Sequence, residues 1–258
     1  MHNGSARLIE LSWEVPAEDP QWVLDDDEER MPESPLQGEV CRLLMAILTR
    51  WVNHRGASAL VGGHVALRWD PAHPRTGVDP DVYLIEPAPP LGPGDKSVRT
   101  WVPGHSAPRV AVEVVSDATA EEDYRLKPAK YAVSGTRELW VFDPLRLGPR
   151  GEARALQVWK RLRRNGFRRV YAGDGPAYSE ELGAWLVVTD GGLRLRIADD
   201  EAGISLWPTA EEAERAAKEA ALAAKEAALA AKEAERAAKE TALAEVERLR
   251  EQLARLRG

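Results

Sequence analysis

Glu113 sits inside RVAVEVVS (Arg109–Ser116), where Val and Ala fill both faces of a short run. That is the pattern of a strand covered on both sides. A lone ionised carboxylate there loses its hydration, which is costly unless something pairs with it. A second acid, Asp81, follows Pro80 at the start of another strand-like run, DVYLI. Beyond Glu113, Asp123, Lys127 and Tyr131 recur at a spacing of four, which lines one face of a helix. Two acids and a lysine are what metal-assisted phosphodiester hydrolysis requires. Carboxylates hold a hard cation such as Mg²⁺, which takes oxygen ligands and keeps several waters. The ion polarises a phosphoryl oxygen and acidifies a bound water. A lysine neutralises developing negative charge or positions the attacking water. A bound cation would also compensate the buried Glu113.

Each residue alone has a plainer reading. An Asp after Pro is commonly a turn residue, and a Lys on a helix is commonly a solvated charge. Ser116 orients the end of the Glu113 strand or caps the next helix. Asp143, at a strand end before Pro144, reads as a turn cap. Trp101 and Trp140 read as core. The five histidines show no paired zinc spacing. LGPGDKS (Leu91–Ser97) lacks the first Gly of a P-loop.

The elements that must position these residues can be read from periodicity. PLQGEVCRLLMAILTRWVNHRG carries apolar residues at Val40, Leu43, Leu44, Ile47, Leu48 and Trp51, which predicts a helix from about Ser34 to His54, ended by Gly56. HVALRW and DVYLIEP read as strands. Residues 87–108 are a Pro/Gly-rich excursion, long enough to suggest a functional lip. The Glu113 strand, a helix over YRLKPAKYAVSG and the strand ELWVFDP make a βαβ unit. Residues 154–207 read as hairpins, with turns at Asn165–Gly166 and Asp190–Gly192.

From Ala216, seven-residue units rich in Ala, Glu and Lys predict one long helix. Three regions result: an acidic arm over 1–33, a globular part over 34–207, and a helical tail over 208–258. The tail, the globular part or both could join two copies of the chain.

The net charge of −7 is unevenly spread. Residues 1–36 carry −8, residues 209–258 carry −1, and the part between carries +2. Lys160, Arg161, Arg163, Arg164, Arg168 and Arg169 crowd into KRLRRNGFRR. That cluster fits either phosphate binding or a solvated hairpin face. No apolar run approaches the length of a membrane span. The first residues lack a signal-peptide pattern, and the lone Cys41 reads as a small buried hydrophobe. A soluble, cytoplasmic protein is expected.

PDVYLI, VAVEVVS and DYRLKPAKYAVSGTRELWVFDP resemble the Uma-type restriction endonucleases, a bacterial branch of the PD-(D/E)xK nuclease superfamily. The likeness spans roughly residues 34–207 and extends to VGGHVALRW and LGPGDKSVRTWV; the Ala/Glu/Arg-rich tail is similar to that of one subgroup. The resemblance implies an α/β fold: a restriction-endonuclease-like core, in which a mixed sheet is flanked by helices, with a long C-terminal helix appended. It implies Mg²⁺-dependent cleavage of DNA, with Mn²⁺ as a substitute, and makes Asp81, Glu113 and Lys127 catalytic. The implied metal ligands are Asp81, Glu113 and the backbone carbonyl of Val114.

In most of the superfamily the lysine lies two residues after the Glu, where this chain has Val115; in this branch the following helix supplies it, here as Lys127. Tyr131 matches the family's aromatic residue one turn later. A Glu from the first helix is a common addition, and Glu39 is the nearest candidate. The family's Ser-Pro-Ser-Thr is here Ser116-Asp117-Ala118-Thr119, and Pro128 directly follows Lys127. Lys130 is a rival for the lysine role. Two other functions remain open: a nucleic-acid-binding module on a degenerate nuclease fold, and a scaffold acting through the tail.

Overall fold

The structure is a computed structural model, and it describes residues 7–10, 20–24, 34–162 and 166–257. The expected turn at Asn165 and the acidic run at residues 25–30 fall outside these. The chain divides into two units, residues 1–209 and 210–258.

In the first unit, β1 (Leu8–Glu10) precedes α1 (Pro35–Arg55). Three short strands follow, β2 (Leu60–Gly62), β3 (Ala66–Arg68) and β4 (Gly77–Val78), and then β5 (Val82–Ile85). After β6 (Ser97–Arg99) comes the buried strand β7 (Val110–Val114), then α2 (Ala120–Arg125), α3 (Lys127–Ser134) and β8 (Glu138–Phe142). The remainder is β9 (Leu156–Leu162), β10 (Gly166–Gly173), β11 (Ala177–Ser179), β12 (Ala184–Thr189) and β13 (Arg194–Ala198). The second unit is the single helix α4 (Ala210–Arg257).

Seven strands form the main sheet in the order β1-β10-β9-β8-β7-β5-β2. It is mixed: β7 and β8 are parallel, as the α2–α3 crossover between them requires, and the other pairs are antiparallel. β11, β12 and β13 form an antiparallel sheet of their own, and β4-β3-β6 form a third. The excursion over 87–108 thus contributes β6, which pairs parallel with β3. Leu8–Glu10, from the segment expected to be an arm, pairs with β10 at the sheet edge, so the boundary at residue 33 does not separate it from the sheet.

Alternation along the central strands builds two cores. Val110, Val112 and Val114 face α1, whose Val40, Leu44, Ile47 and Leu48 cover them together with the β11–β13 sheet. Ala111 and Val115 face the other way, toward Tyr124, Tyr131 and Ala132 of the α2–α3 segment. Glu113 falls in this second register, so its side chain is delivered to the face under α3.

The predicted helix over YRLKPAKYAVSG is two helices that meet at Leu126 (φ −94°, ψ −48°). Pro128 causes the break: it has no N–H for the carbonyl four residues back, and it fits in the first turn of α3. Because Leu126 stays near helical geometry, the spacing of four from Asp123 to Tyr131 still lines one side. Gly56 ends α1 in the left-handed conformation (φ 62°), as its position predicts.

Candidate metal-dependent active site

Glu113 is wholly buried, and both of its carboxylate oxygens are held. Lys127 Nζ donates to Oε2 at 2.7 Å, and the Tyr131 hydroxyl donates to Oε1. Lys127 Nζ also lies 2.7 Å from Asp123 Oδ1. The Thr119 hydroxyl donates to Asp123 Oδ2 at 2.6 Å, and Ser116 Oγ stands 3.0 Å from Thr119 Oγ1. A continuous chain of polar contacts thus runs from the end of β7, through α2, to Lys127.

Asp81 arrives from the neighbouring strand. The Val114 N–H donates to its Oδ2 at 2.7 Å, and Gln37 Nε2 donates to its Oδ1 at 3.3 Å. The backbone around it is pinned as well: the His64 N–H donates to Pro80 O at 3.0 Å. Gly63 packs so close that a Cβ there would stand 2.3 Å from the Asp81 carbonyl oxygen. Any side chain at Gly63 would push Asp81 out of place.

Three acids therefore surround one lysine, leaving a formal charge of −2. Burial pushes the Glu113 carboxyl well above its usual range; Lys127 opposes this, and Asp81 and Asp123 add to it. Burial raises Asp81 too, against Lys127 and the Val114 N–H. For Lys127, burial favours the neutral amine, but Glu113, Asp123 and Asp81 outweigh it and hold the ammonium well above its ordinary range. Burial and the facing Glu113 likewise raise the Tyr131 phenol.

Carboxylate oxygens are the donors a hard divalent cation takes, and its charge would favour their ionised forms. Among the described residues, no three His, Cys, Asp or Glu side chains converge as a ready-made metal cage, because Lys127 lies between two of the acids.

The structure thus brings Asp81, Glu113, Lys127 and Tyr131 together and ties Ser116 to them through Thr119 and Asp123. Glu39 is different. It is exposed on α1, and Gln37 reaches Asp81 instead. Two residues are about 200° around a helix, so both cannot face the site. The signal for Gln37 is Ser34-Pro-Leu-Gln37, the spacing of a capping box: Ser34 does accept from the Gln37 N–H at 3.1 Å, while the Gln side chain turns to Asp81. The rival Lys130 is buried and pairs with Glu122 at 3.2 Å.

Much of the basic cluster is engaged within the fold. Lys160 pairs with Glu180, and Arg169 donates to Gln157 at 3.2 Å. Arg161 donates to the backbone oxygens of Ala132 (2.7 Å), Thr136 (2.9 Å) and Tyr131 (3.3 Å), and so caps the C-terminal end of α3. Arg168 is exposed, and Arg163 and Arg164 fall outside the described residues. Asp143 is the turn cap it was expected to be, accepting from the Leu147 and Gly148 N–H groups.

The mixed sheet thus brings Asp81, just before β5, and Glu113 of β7 together, and α3 adds a lysine. Residues 10–182 match the Uma2 family, described as "Putative restriction endonuclease", and the chain belongs to that family. Among solved structures, it is similar to a "putative nuclease belonging to DUF820" from Anabaena variabilis ATCC 29413, with 12% identity and a TM-score of 0.41 over 60% of this chain and 77% of the other. No curated protein matches it. Among the described residues, no helix is long and apolar enough to cross a membrane.

Proposed function

We propose that the chain is a divalent-metal-dependent endonuclease that hydrolyses phosphodiester bonds of DNA, with Mg²⁺ or Mn²⁺ held by Asp81, Glu113 and the Val114 carbonyl. The observation that carries this reading is the wholly buried Glu113, contacted by Lys127 and Tyr131 and set beside an Asp81 that the next residue of the same strand holds. Family membership supports it. When bound, the cation supplies polarisation of a phosphoryl oxygen and acidification of water.

The remaining work belongs to the chain. Tyr131 and Lys127 hold both oxygens of Glu113, so the carboxylate is already oriented before an ion arrives. The Val114 N–H and Gln37 do the same for Asp81. Lys127 keeps its positive charge through the surrounding acids and can stabilise the negative charge that develops on the phosphoryl group. Ordered acids and a charged lysine held largely out of water are worth more than the same groups in bulk water.

Supercoiled plasmid and single-stranded circular DNA, incubated with Mg²⁺, with Mn²⁺ or with chelator, test the reading. Cleavage that requires the metal and disappears in Glu113→Gln is the expected result. Cleavage that survives the chelator, or a Glu113→Gln protein as active as the parent, would overturn it. DNA binding without any cleavage would assign the binding-module function instead.

A further inference from the structure

We propose that Lys127 fills the cation's place in the free protein, and that Asp123 is the positioning residue that retains Lys127 when a divalent ion is bound. The inference rests on the nuclease reading of the same site. Lys127 Nζ is 2.7 Å from Glu113 Oε2 and 2.7 Å from Asp123 Oδ1, so one ammonium is shared by two carboxylates. Those carboxylates are not equivalent. Glu113 is on the sheet and next to the residue that fixes Asp81, so it is the acid available to an ion held jointly with Asp81.

Asp123 stands on α2, and its two oxygens have separate duties: Oδ2 is fixed by the Thr119 hydroxyl at 2.6 Å, and Oδ1 faces Lys127. Thr119 is itself anchored to Ser116 at the end of β7. Asp123 is therefore immobilised from behind and presents one oxygen to the lysine.

A divalent ion and an ammonium cannot both sit against Glu113 Oε2 without strong repulsion at such distances. Loading must loosen the Lys127–Glu113 contact. Asp123, fully buried and unable to turn away, then holds the ammonium beside the ion, where it can face the substrate. Without Asp123, the displaced lysine has no buried counter-charge near its own helix and swings toward solvent.

The full-length protein tests this with Mn²⁺. Calorimetry should give Asp123→Asn a Kd for Mn²⁺ within about threefold of the parent, because its charge does not ligate the ion, whereas Glu113→Gln weakens binding more than ~10-fold. Turnover of Asp123→Asn should fall ~10²-fold with the KM for DNA unchanged. Thr119→Val, which frees Asp123 Oδ2 without removing a charge, should lower turnover in the same direction but less. A crystal structure with Mn²⁺ should keep Lys127 Nζ on Asp123 and find it released from Glu113.

An Asp123→Asn protein that loses Mn²⁺ as Glu113→Gln does would make Asp123 a ligand and overturn the inference. So would a loaded structure with Lys127 still on Glu113, or a protein that binds no divalent ion. The two readings separate cleanly. A parent that binds Mn²⁺ with the expected shift but cleaves nothing sinks only the nuclease reading. One that cleaves with Lys127 unmoved sinks only this one.

Discussion

The Val114 N–H donates to Asp81 Oδ2 at 2.7 Å, and this bond ties Asp81 to the strand that carries Glu113. Register makes it possible: Val82 stands opposite Val112 in the antiparallel β5–β7 pair, so Asp81, just before Val82, falls beside the end of β7. The two acids are brought together by backbone pairing and do not depend on flexible loops. Their separation should persist when either is replaced by an isostere.

Glu113→Gln should abolish metal-dependent cleavage and raise the stability of the metal-free protein at neutral pH. The sign follows from the raised carboxyl. The folded protein keeps this proton at pH values where the unfolded chain has lost it. Its contribution is therefore complete below the ordinary value of 4.5 and is lost as pH rises through the folded pKa. The variant cannot ionise there and still leaves Lys127 its Asp123 partner. Thermal melts in chelator should show it ahead of the parent by roughly 2–4 °C near neutrality, about 1 kcal/mol, with the gap closing toward acid. A gap that widens toward acid would contradict this.

Lys127→Ala should lower turnover ~10²–10³-fold without weakening metal binding, since the lysine acts on developing charge and leaves the ion's ligands intact. Lys130→Ala should leave turnover within about twofold and lower stability by no more than about 1 kcal/mol through the lost pair, because Glu122 is part-exposed and water takes the place of the lysine. Activity lost in Lys130→Ala and kept in Lys127→Ala would reverse the assignment.

Which residues gather at the site was legible largely because strand periodicity is local. The Val/Ala alternation of β7 fixes which face Glu113 occupies, and a spacing of four fixes which residues of α2 and α3 meet it. The expected single helix is split at Pro128 through its missing N–H, although the spacing survives the break. The partners that escaped the sequence act across long separations. Gln37 and Asp81 are 44 residues apart, and Gln37 shows only a capping pattern in the sequence. Gly63 is required by the approach of Asp81 from another strand, which no local pattern reports. The basic run over 160–169 reads as one patch, whereas pleat and tertiary contact send Lys160, Arg161 and Arg169 to different partners.

Arg161 illustrates the consequence. Its guanidinium caps the helix that carries Lys127 and Tyr131, so Arg161→Ala should lower the melting temperature, with a loss of about 1–3 kcal/mol, and reduce turnover modestly. The salt dependence of DNA binding should not change. Arg168→Ala, at an exposed position, should leave stability alone and flatten the slope of log K against log salt by up to about 1 if it meets a phosphate. Measuring DNA affinity for both variants across a salt series decides. A flattened slope in Arg161→Ala would return that residue to the binding surface.

The tail should associate through its last turns alone. α4 is a 48-residue helix, about 72 Å long, and its Leu222, Leu229 and Leu243 recur at multiples of seven with Arg236 interrupting them. The positions between are mostly Ala, Lys and Glu, too poor for a zipper seam. Solvated pairs such as Glu214–Lys218 and Glu235–Lys239 support this stretch, each worth about 0.3–0.5 kcal/mol. Val246, Leu249, Leu253 and Leu256 alone keep the 3-4-3 spacing of paired core positions, and all four are exposed. Two such heptads are marginal, so self-association should be weak and should vanish in Leu249→Glu/Leu253→Glu. Sedimentation of the full chain, that double variant and a truncation after Thr209 tests this. A truncated protein that dimerises as strongly as the full chain would move the interface to the globular unit and leave α4 a solvated helix along its whole length.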